Sequence, residues 1–324
     1  MKYFTRTILF ILALAAAASA SAQTAATYPA KPVRVIVAAA PGGLADVTTR
    51  LVLQKLTDRM GQSFVVENRP GDPVLGIRAV KAAPADGYTL LATSSSITSQ
   101  PYVKHDPGYD LQKDLVGISQ LVRSPFLMVV GAPQPDKTLA DFLARARKDP
   151  SSMSFASGGV GTAPYLAAES FLQRAGLNLL HVPYKGNGAA MPDLIAGRVT
   201  MMFEGAGSGA PKLRNGTMRA LAVTSAKRIP AFPDIPTLAE LGYPNNFTSQ
   251  VWIGLFAPSG VPREIVLKLN EGIQAVLASP EMRKRYEADG AEAVSMTPDE
   301  FNDSLKREML EMEKLVGTLG LQKQ

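Results

Sequence analysis

Apolar and polar positions in this chain fall into two alternating kinds of run. Val33–Ala38 (VRVIVA) is a β-branched apolar run, the pattern of a strand. It ends at Ala39-Ala40-Pro41-Gly42-Gly43. After Asp46, the apolar residues Val47, Leu51, Val52 and Leu56 recur at helical spacing as far as Gly61, a C-terminal stop. Phe64–Val66 then predicts a strand, Val74–Ala83 a helix, and Tyr88–Ala92 a strand entering Thr93-Ser94-Ser95-Ser96. The pattern restarts after Pro125. Leu127–Val130, Met153–Ala156, Leu179–Val182, Val199–Phe203 and Arg219–Val223 predict strands. Leu139–Lys148, Ala163–Ala175 and Ala189–Ala196 predict helices between them. A Pro-rich stretch from Ile229 to Pro244 leads back to a strand at Val251–Phe256 and helices at Pro262–Leu277, Pro280–Asp289 and Thr297–Leu315. Alternating strands and helices imply an α/β fold, mostly parallel sheets flanked by helices. The restart predicts two lobes: residues 27–123 with 251–324, and residues 124–250.

Composition narrows the chemistry. The 324 residues contain no Cys, which removes disulfides, thiolate metal sites, iron–sulfur clusters and a Cys nucleophile. The two histidines, His105 and His181, are far apart and make a His-rich metal site improbable; no metal or cofactor is expected. His105 falls in a polar turn, and His181 ends a strand as a structural residue. The basic start with Lys2 and Arg6, the apolar run Ile8–Ala18 and the small residues Ala18 to Ala22 form an export signal, residues 1–22, cleaved after Ala20 or Ala22. Eleven apolar residues are too few for a membrane span of about 30 Å. Loss of Lys2 and Arg6 lowers the formal charge of +6 to +4. Without basic runs interleaved with aromatics, nucleic acid is not an expected partner. Asn215-Gly-Thr217 and Asn246-Phe-Thr248 match glycosylation sequons, a weak signal.

The loops Pro41–Asp46, Thr93–Ser96 and Ser157–Thr162 share one device, a strand running through Gly and Ser into a helix start. Free N–H groups and the helix dipole make such starts anion sites, and Gly lets a ligand approach the backbone. Each loop taken alone is also an ordinary capped turn. Three of them, at carboxyl ends of strands and split between two lobes, point to a cleft site. The candidate ligand residues are Gly43, Leu44, Asp46, Ser94, Ser95, Ser96, Ser157, Gly159, Gly161, Thr162 and Glu204. Asp46 has three readings: a helix N-cap, a residue that orders water, or a partner for a ligand amino group. Glu204 repels an anionic ligand unless a water, hydroxyl or ammonium intervenes. Arg123 and Lys185 are candidate countercharges. Enzyme motifs are missing. There is no G-x-x-x-x-G-K-[ST], and G-x-S-x-G fails because Phe155 precedes Ser157 and Ala206 precedes Ser208 where Gly is needed. Gly205 to Ala210 fits the loose dinucleotide pattern, but no acid lies about 20 residues on.

The chain resembles the Bug, or TctC-type, extracytoplasmic solute receptors of tripartite tricarboxylate transporters. The resemblance rests on Tyr28-Pro29-Ala30-Lys31-Pro32, Pro41-Gly42-Gly43 with Asp46, Val66-Glu67-Asn68-Arg69-Pro70-Gly71 and Asp86-Gly87-Tyr88-Thr89. It continues through His181-Val182-Pro183-Tyr184-Lys185-Gly186, Arg219 to Thr224, Pro233-Asp234-Ile235-Pro236 and Trp252-Ile253-Gly254 with Ala257-Pro258-Ser259-Gly260. It implies a two-lobed periplasmic binding protein of type II-like fold that closes on a small organic carboxylate. The implied role is delivery to two integral membrane transporter subunits, by a non-enzymatic monomer. Two departures stand out. Asp72-Pro73-Val74-Leu75 replaces the small residues usual after Pro70-Gly71, and Glu204 stands where the family more often has Asp. A periplasmic sensor feeding a signalling partner, or a secreted hydrolase, are the competing functions.

Overall fold

The run VRVIV forms β1 (Val33–Val37) because both of its faces find cover: Val35 and Val37 pack into one core, Ile36 into another on the opposite face. The computed structural model describes residues 27–243 and 250–324. The expected export signal and the Asn246 sequon lie outside them. The strands after β1 are β2 (Phe64–Asn68), β3 (Thr89–Ser94), β4 (Leu115–Gly131), β5 (Ser154–Ser157), β6 (Leu180–Pro183), β7 (Met201–Gly205), β8 (Met218–Val223) and β9 (Gln250–Pro258). The helices are α1 (Leu44–Met60), α2 (Pro73–Lys81), α3 (Ser96–Val103), α4 (Leu111–Asp114), α5 (Leu139–Lys148), α6 (Ala163–Ala175), α7 (Asn187–Ile195), α8 (Ala206–Arg214), α9 (Arg263–Leu277), α10 (Pro280–Ala288) and α11 (Pro298–Thr318).

The sheet is ordered β2-β1-β3-β9-β4-β7-β5-β6, with β8 also on β4. It is mixed. β2, β1 and β3 are parallel, as are β6, β5 and β7. The antiparallel pairings all involve β4 or β9. β4 is the unexpected element: one 17-residue strand where the sequence suggests a break at Pro125. Its first part pairs with β9 from Leu115 to Pro125, its last part with β7 and β8 from Phe126 to Gly131. Pro125 sits where the partner changes, a place where a missing N–H is tolerated. β4 therefore runs through both halves of a two-lobed α/β fold. β9 starts opposite Pro125 and returns the chain to the first half.

α3 is not legible as a helix from its sequence, because Pro101 stands inside it. Pro lacks the N–H that would bond the carbonyl four residues back, Ile97 O. The Tyr109 hydroxyl donates to that carbonyl instead, at 2.7 Å. α7 and α8 carry Pro192 and Pro211 at the corresponding sixth helical position.

Candidate functional site

Six strand–loop–helix units, three from each half, aim their helix starts at one cavity between the halves. Its empty volume is about 660 Å³, the solvent at its mouth included. Gly43, Leu44 and Ala45 bring the start of α1, Gly71 and Pro73 that of α2, and Ser94 and Ser96 that of α3. From the second half, Thr162 and Pro164 bring α6, Gly186, Asn187 and Gly188 bring α7, and Glu204 and Gly205 bring α8. First-turn N–H groups have no carbonyl four residues back, and each helix start carries about half a positive charge. Among the described residues, no Lys, Arg or His lines the cavity. The remaining wall is apolar: Ala38, Ala39, Ala40, Phe126, Val251 and Ile253. A small anion with a hydrocarbon part suits such a lining.

The halves meet tightly around this space. Ala163 N donates to Ser96 Oγ at 2.9 Å, and Ser99 Oγ to Gly161 O at 2.6 Å. A Cβ added to Gly188 would lie 2.9 Å from Gly43 N and would overlap Pro41 O. The two glycine loops touch backbone to backbone, and only residues without side chains permit this.

Gly43, Leu44, Ser94, Ser96, Thr162 and Glu204 thus line the cavity. The other candidates are placed elsewhere, each for a physical reason. Asp46 is not the N-cap; Gly43 is. Asp46 is buried at the third helical position. It accepts from Gly42 N at 3.0 Å, and from Arg50 Nε and Asn68 Nδ2 at 2.8 and 2.9 Å, bracing the glycine turn from behind. Ser95 points away from its neighbours Ser94 and Ser96 and lines a second cavity with Arg123, Trp252 and Glu308. Ser157 is wholly buried. Its Oγ lies 2.8 Å from His181 Nε2 and accepts from Gly159 N at 3.1 Å. His181 stacks on Phe155 with ring centres 4.7 Å apart, and burial pushes its pKa down to about 4, so the ring is neutral and structural. Gly159 and Gly161 shape the turn with φ of +114° and +75° but do not line the cavity. The hydroxyl of Thr162 is spent on Gly159 O, at 2.7 Å.

Sequence reasoning missed Gly186-Asn187-Gly188, although it repeats the strand–Gly–helix device after β6. It also missed Phe126, Val251 and Ile253. The alternation of β9 sends Val251 and Ile253 to one side and Gln250 and Trp252 to the other. The departure at Asp72-Pro73 is a helix start: Asp72 Oδ1 accepts from Val74 N at 3.0 Å and Pro73 opens α2. Glu204 is almost fully buried and, among the described residues, carries the one ionisable side chain in the lining. Its Oε1 accepts from Ser208 Oγ at 2.5 Å and its Oε2 from Asn187 Nδ2 at 2.8 Å. Burial raises its pKa, against these two hydrogen bonds and the charge of Lys212.

Residues 48–321 match the model of the tripartite tricarboxylate transporter family receptor. The chain belongs to this receptor family. Its relatives include protein BugT of Bordetella pertussis, 36% identical over 280 residues, 86% of each chain. Among solved structures, the periplasmic binding protein BugD is 31% identical with a TM-score of 0.88, covering 92% of this chain and all of its own. The Rhodopseudomonas palustris protein Rpa4515, solved with adipate, is 32% identical with a TM-score of 0.87 over the same shares. The family and these structures are of binding proteins, not enzymes. Among the described residues, no helix is long and apolar enough to cross a membrane.

Proposed function

We propose that this receptor works in the periplasm, captures a small organic carboxylate by closing its two lobes on it, and hands it to two integral membrane transporter subunits. One observation carries the reading: six helix starts converge on a cavity that, among the described residues, has no Lys or Arg in its lining. Charge-assisted hydrogen bonds to such N–H groups contribute about 1.5–3 kcal/mol each. The adipate bound by Rpa4515 supports a carboxylate for this chain as well. β4 and β9 are the segments about which the lobes turn, with lobe boundaries near Ser124 and Gln250. Hinge closure of this kind is general among periplasmic binding proteins. The cavity is complete within one chain, in keeping with a monomeric receptor.

Calorimetry with mono- and dicarboxylates, together with neutral amides of the same length, tests the ligand class. At least one carboxylate should bind with micromolar or tighter affinity and shrink the radius of gyration in small-angle scattering. Tight binding of an amide without any carboxylate, or saturation without compaction, would contradict the reading. Co-purification with the two membrane subunits only when the carboxylate is present tests the delivery step.

A further inference from the structure

Asp46 and Asp136 are buried beside arginines of their own half, Arg50 and Arg145. Asp289 is buried as well, but its two arginines come from different halves. Arg285 of α10, four residues back, donates from Nε to Asp289 Oδ2 at 2.7 Å. Arg214, the last residue of α8, donates from Nη1 to Asp289 Oδ1 at 3.0 Å and from Nη2 to Ala288 O. Beside this contact a Cβ on Gly290 would lie 3.0 Å from Ile229 Cδ1 and 3.5 Å from Ala206 Cβ, so the halves touch here too. Glu292 exchanges two backbone hydrogen bonds with Arg123 of β4, at 2.7 and 2.9 Å, which fixes the segment after α10 to a strand that joins the lobes. Both sides of the ion pair are held in place without it. Asp289 keeps Arg285 when the lobes part, and the Arg214 guanidinium keeps the Phe232 ring of its own half, 5.5 Å from the centroid. Breaking one partner from a buried pair is costly when it strands a charge, and here none is stranded. α8 is nine residues long, so Arg214 stands roughly 13 Å from the end that brings Glu204 and Gly205 to the cavity. We propose that Arg214 and Asp289 form a reversible latch that holds α8, and the second lobe with it, in the closed arrangement. Arg214 is a positioning residue. It touches no ligand, yet it sets how much of the unliganded protein is closed and so how slowly a ligand leaves. The inference rests on the lobe-closure reading and goes past it, by naming what holds the lobes shut away from the ligand.

Small-angle scattering of the purified, ligand-free protein tests it, with Arg214→Met and Arg214→Lys against the wild type. Arg214→Met keeps the stem over Phe232 and loses the charge, so its radius of gyration should be the larger, with the same helical circular dichroism. Arg214→Lys keeps the charge and should lie between the two; it serves alone if Arg214→Met melts well below the wild type. With adipate as the probe, affinity by calorimetry should fall about fivefold or more in Arg214→Met, carried by faster release in stopped flow. The ligand-free radii decide the latch even where the wild type binds no adipate. Equal radii in wild type and variants overturn it, and compaction of the wild type by a bound carboxylate then leaves lobe closure standing. A wild-type radius that stays fixed with ligand bound overturns closure and latch together.

Discussion

Two cavities flank the strands that join the lobes, and they solve opposite problems with the same backbone. The front cavity takes Phe126, Val251 and Ile253 from β4 and β9; the rear one takes Gln120, Arg123, Gln250 and Trp252. At the front, positive potential comes from helix starts, and among the described residues the single ionisable group is Glu204. At the rear, it comes from side chains, Arg123 and Arg307, set among Glu308 and Glu311. Side-chain cations are long, hydrated and mobile, and they bring counter-charges with them. Helix-start N–H groups are fixed by the fold and need no reordering when an anion arrives. The composition of a surface in Lys and Arg is therefore a poor guide to where an anion goes. The cavity that holds the arginines here, balanced by Glu308 and Glu311, is the one without the converging helix starts.

The strongest way to break this contrast is at Gly188. Its φ is not in the left-handed region, so Ala fits the backbone and favours the helix it opens. The added Cβ would instead lie 2.9 Å from Gly43 N and overlap Pro41 O, on the opposite lobe. Gly188→Ala should leave each lobe folded and the closed arrangement obstructed. Affinity for the best wild-type carboxylate should fall by about 100-fold or more, because a ligand gains only from the state that it can close. The helical circular dichroism should not change, and the compaction on adding ligand should vanish. Unaltered affinity with full compaction would show that the two glycine loops do not meet in the bound state.

A smaller effect separates neighbours. Ser96 Oγ accepts from Ala163 N across the lobes and from Ser94 Oγ, both at 2.9 Å, whereas Ser95 lines the rear cavity. Ser96→Ala leaves the Ala163 N–H without its acceptor and should weaken carboxylate binding by roughly tenfold, the worth of one such hydrogen bond. Ser95→Ala should change it less than about twofold on the same scale. Equal losses from both would mean that front and rear are not distinct in binding.

Much of the fold is legible in the amino-acid sequence, and the failures are specific. Apolar runs such as Val33–Val37, broken only by Arg34, and Leu127–Val130 declare strands, and glycine-rich exits declare helix starts. Which serine of Ser94-Ser95-Ser96 faces the ligand is not legible, because that depends on where β3 stops and α3 begins. Pro125 reads as a boundary, yet the strand passes through it, since its neighbours on either side bond to different partners. Pro101 hides α3, because the carbonyl it leaves open is satisfied by Tyr109, eight residues further on. Asp46 looks like a cap or a ligand group. Its three donors come from Gly42, Arg50 and Asn68, and the last of these belongs to another strand. The missing information is tertiary in every case.

The smallest effect lies at the rear, in Glu308. Its Oε2 accepts from Trp252 Nε1 at 2.7 Å, and its Oε1 lies 3.1 Å from Thr98 Oγ1. The single proton of Thr98 Oγ1 is directed to Ser95 O at 2.7 Å. Protonated Glu308 can donate to Thr98 Oγ1, whereas ionised Glu308 has to share the one Thr98 proton with Ser95 O. Burial, with Glu311 nearby, raises its pKa from the ordinary 4.5 to about 7, against the Trp252 and Thr98 hydrogen bonds and the charge of Arg123. For a carboxyl raised on folding, the stabilising contribution is complete below the unfolded value and is lost as pH rises through the folded one. The native protein should therefore lose stability between about pH 4.5 and pH 7 through this group. The side chain keeps some exposure, which holds the loss to on the order of 1 kcal/mol. Glu308→Gln retains an acceptor for Trp252 and a donor for Thr98, mimics the protonated form and has nothing to titrate. Urea midpoints at pH 5 and pH 8 should differ less in the variant than in the wild type, with the variant the more stable of the two at pH 8. Carboxylate affinity should be the same in both, since the front cavity does not include Glu308. Parallel pH curves would show that Glu308 ionises in the folded protein as freely as it does in the unfolded chain.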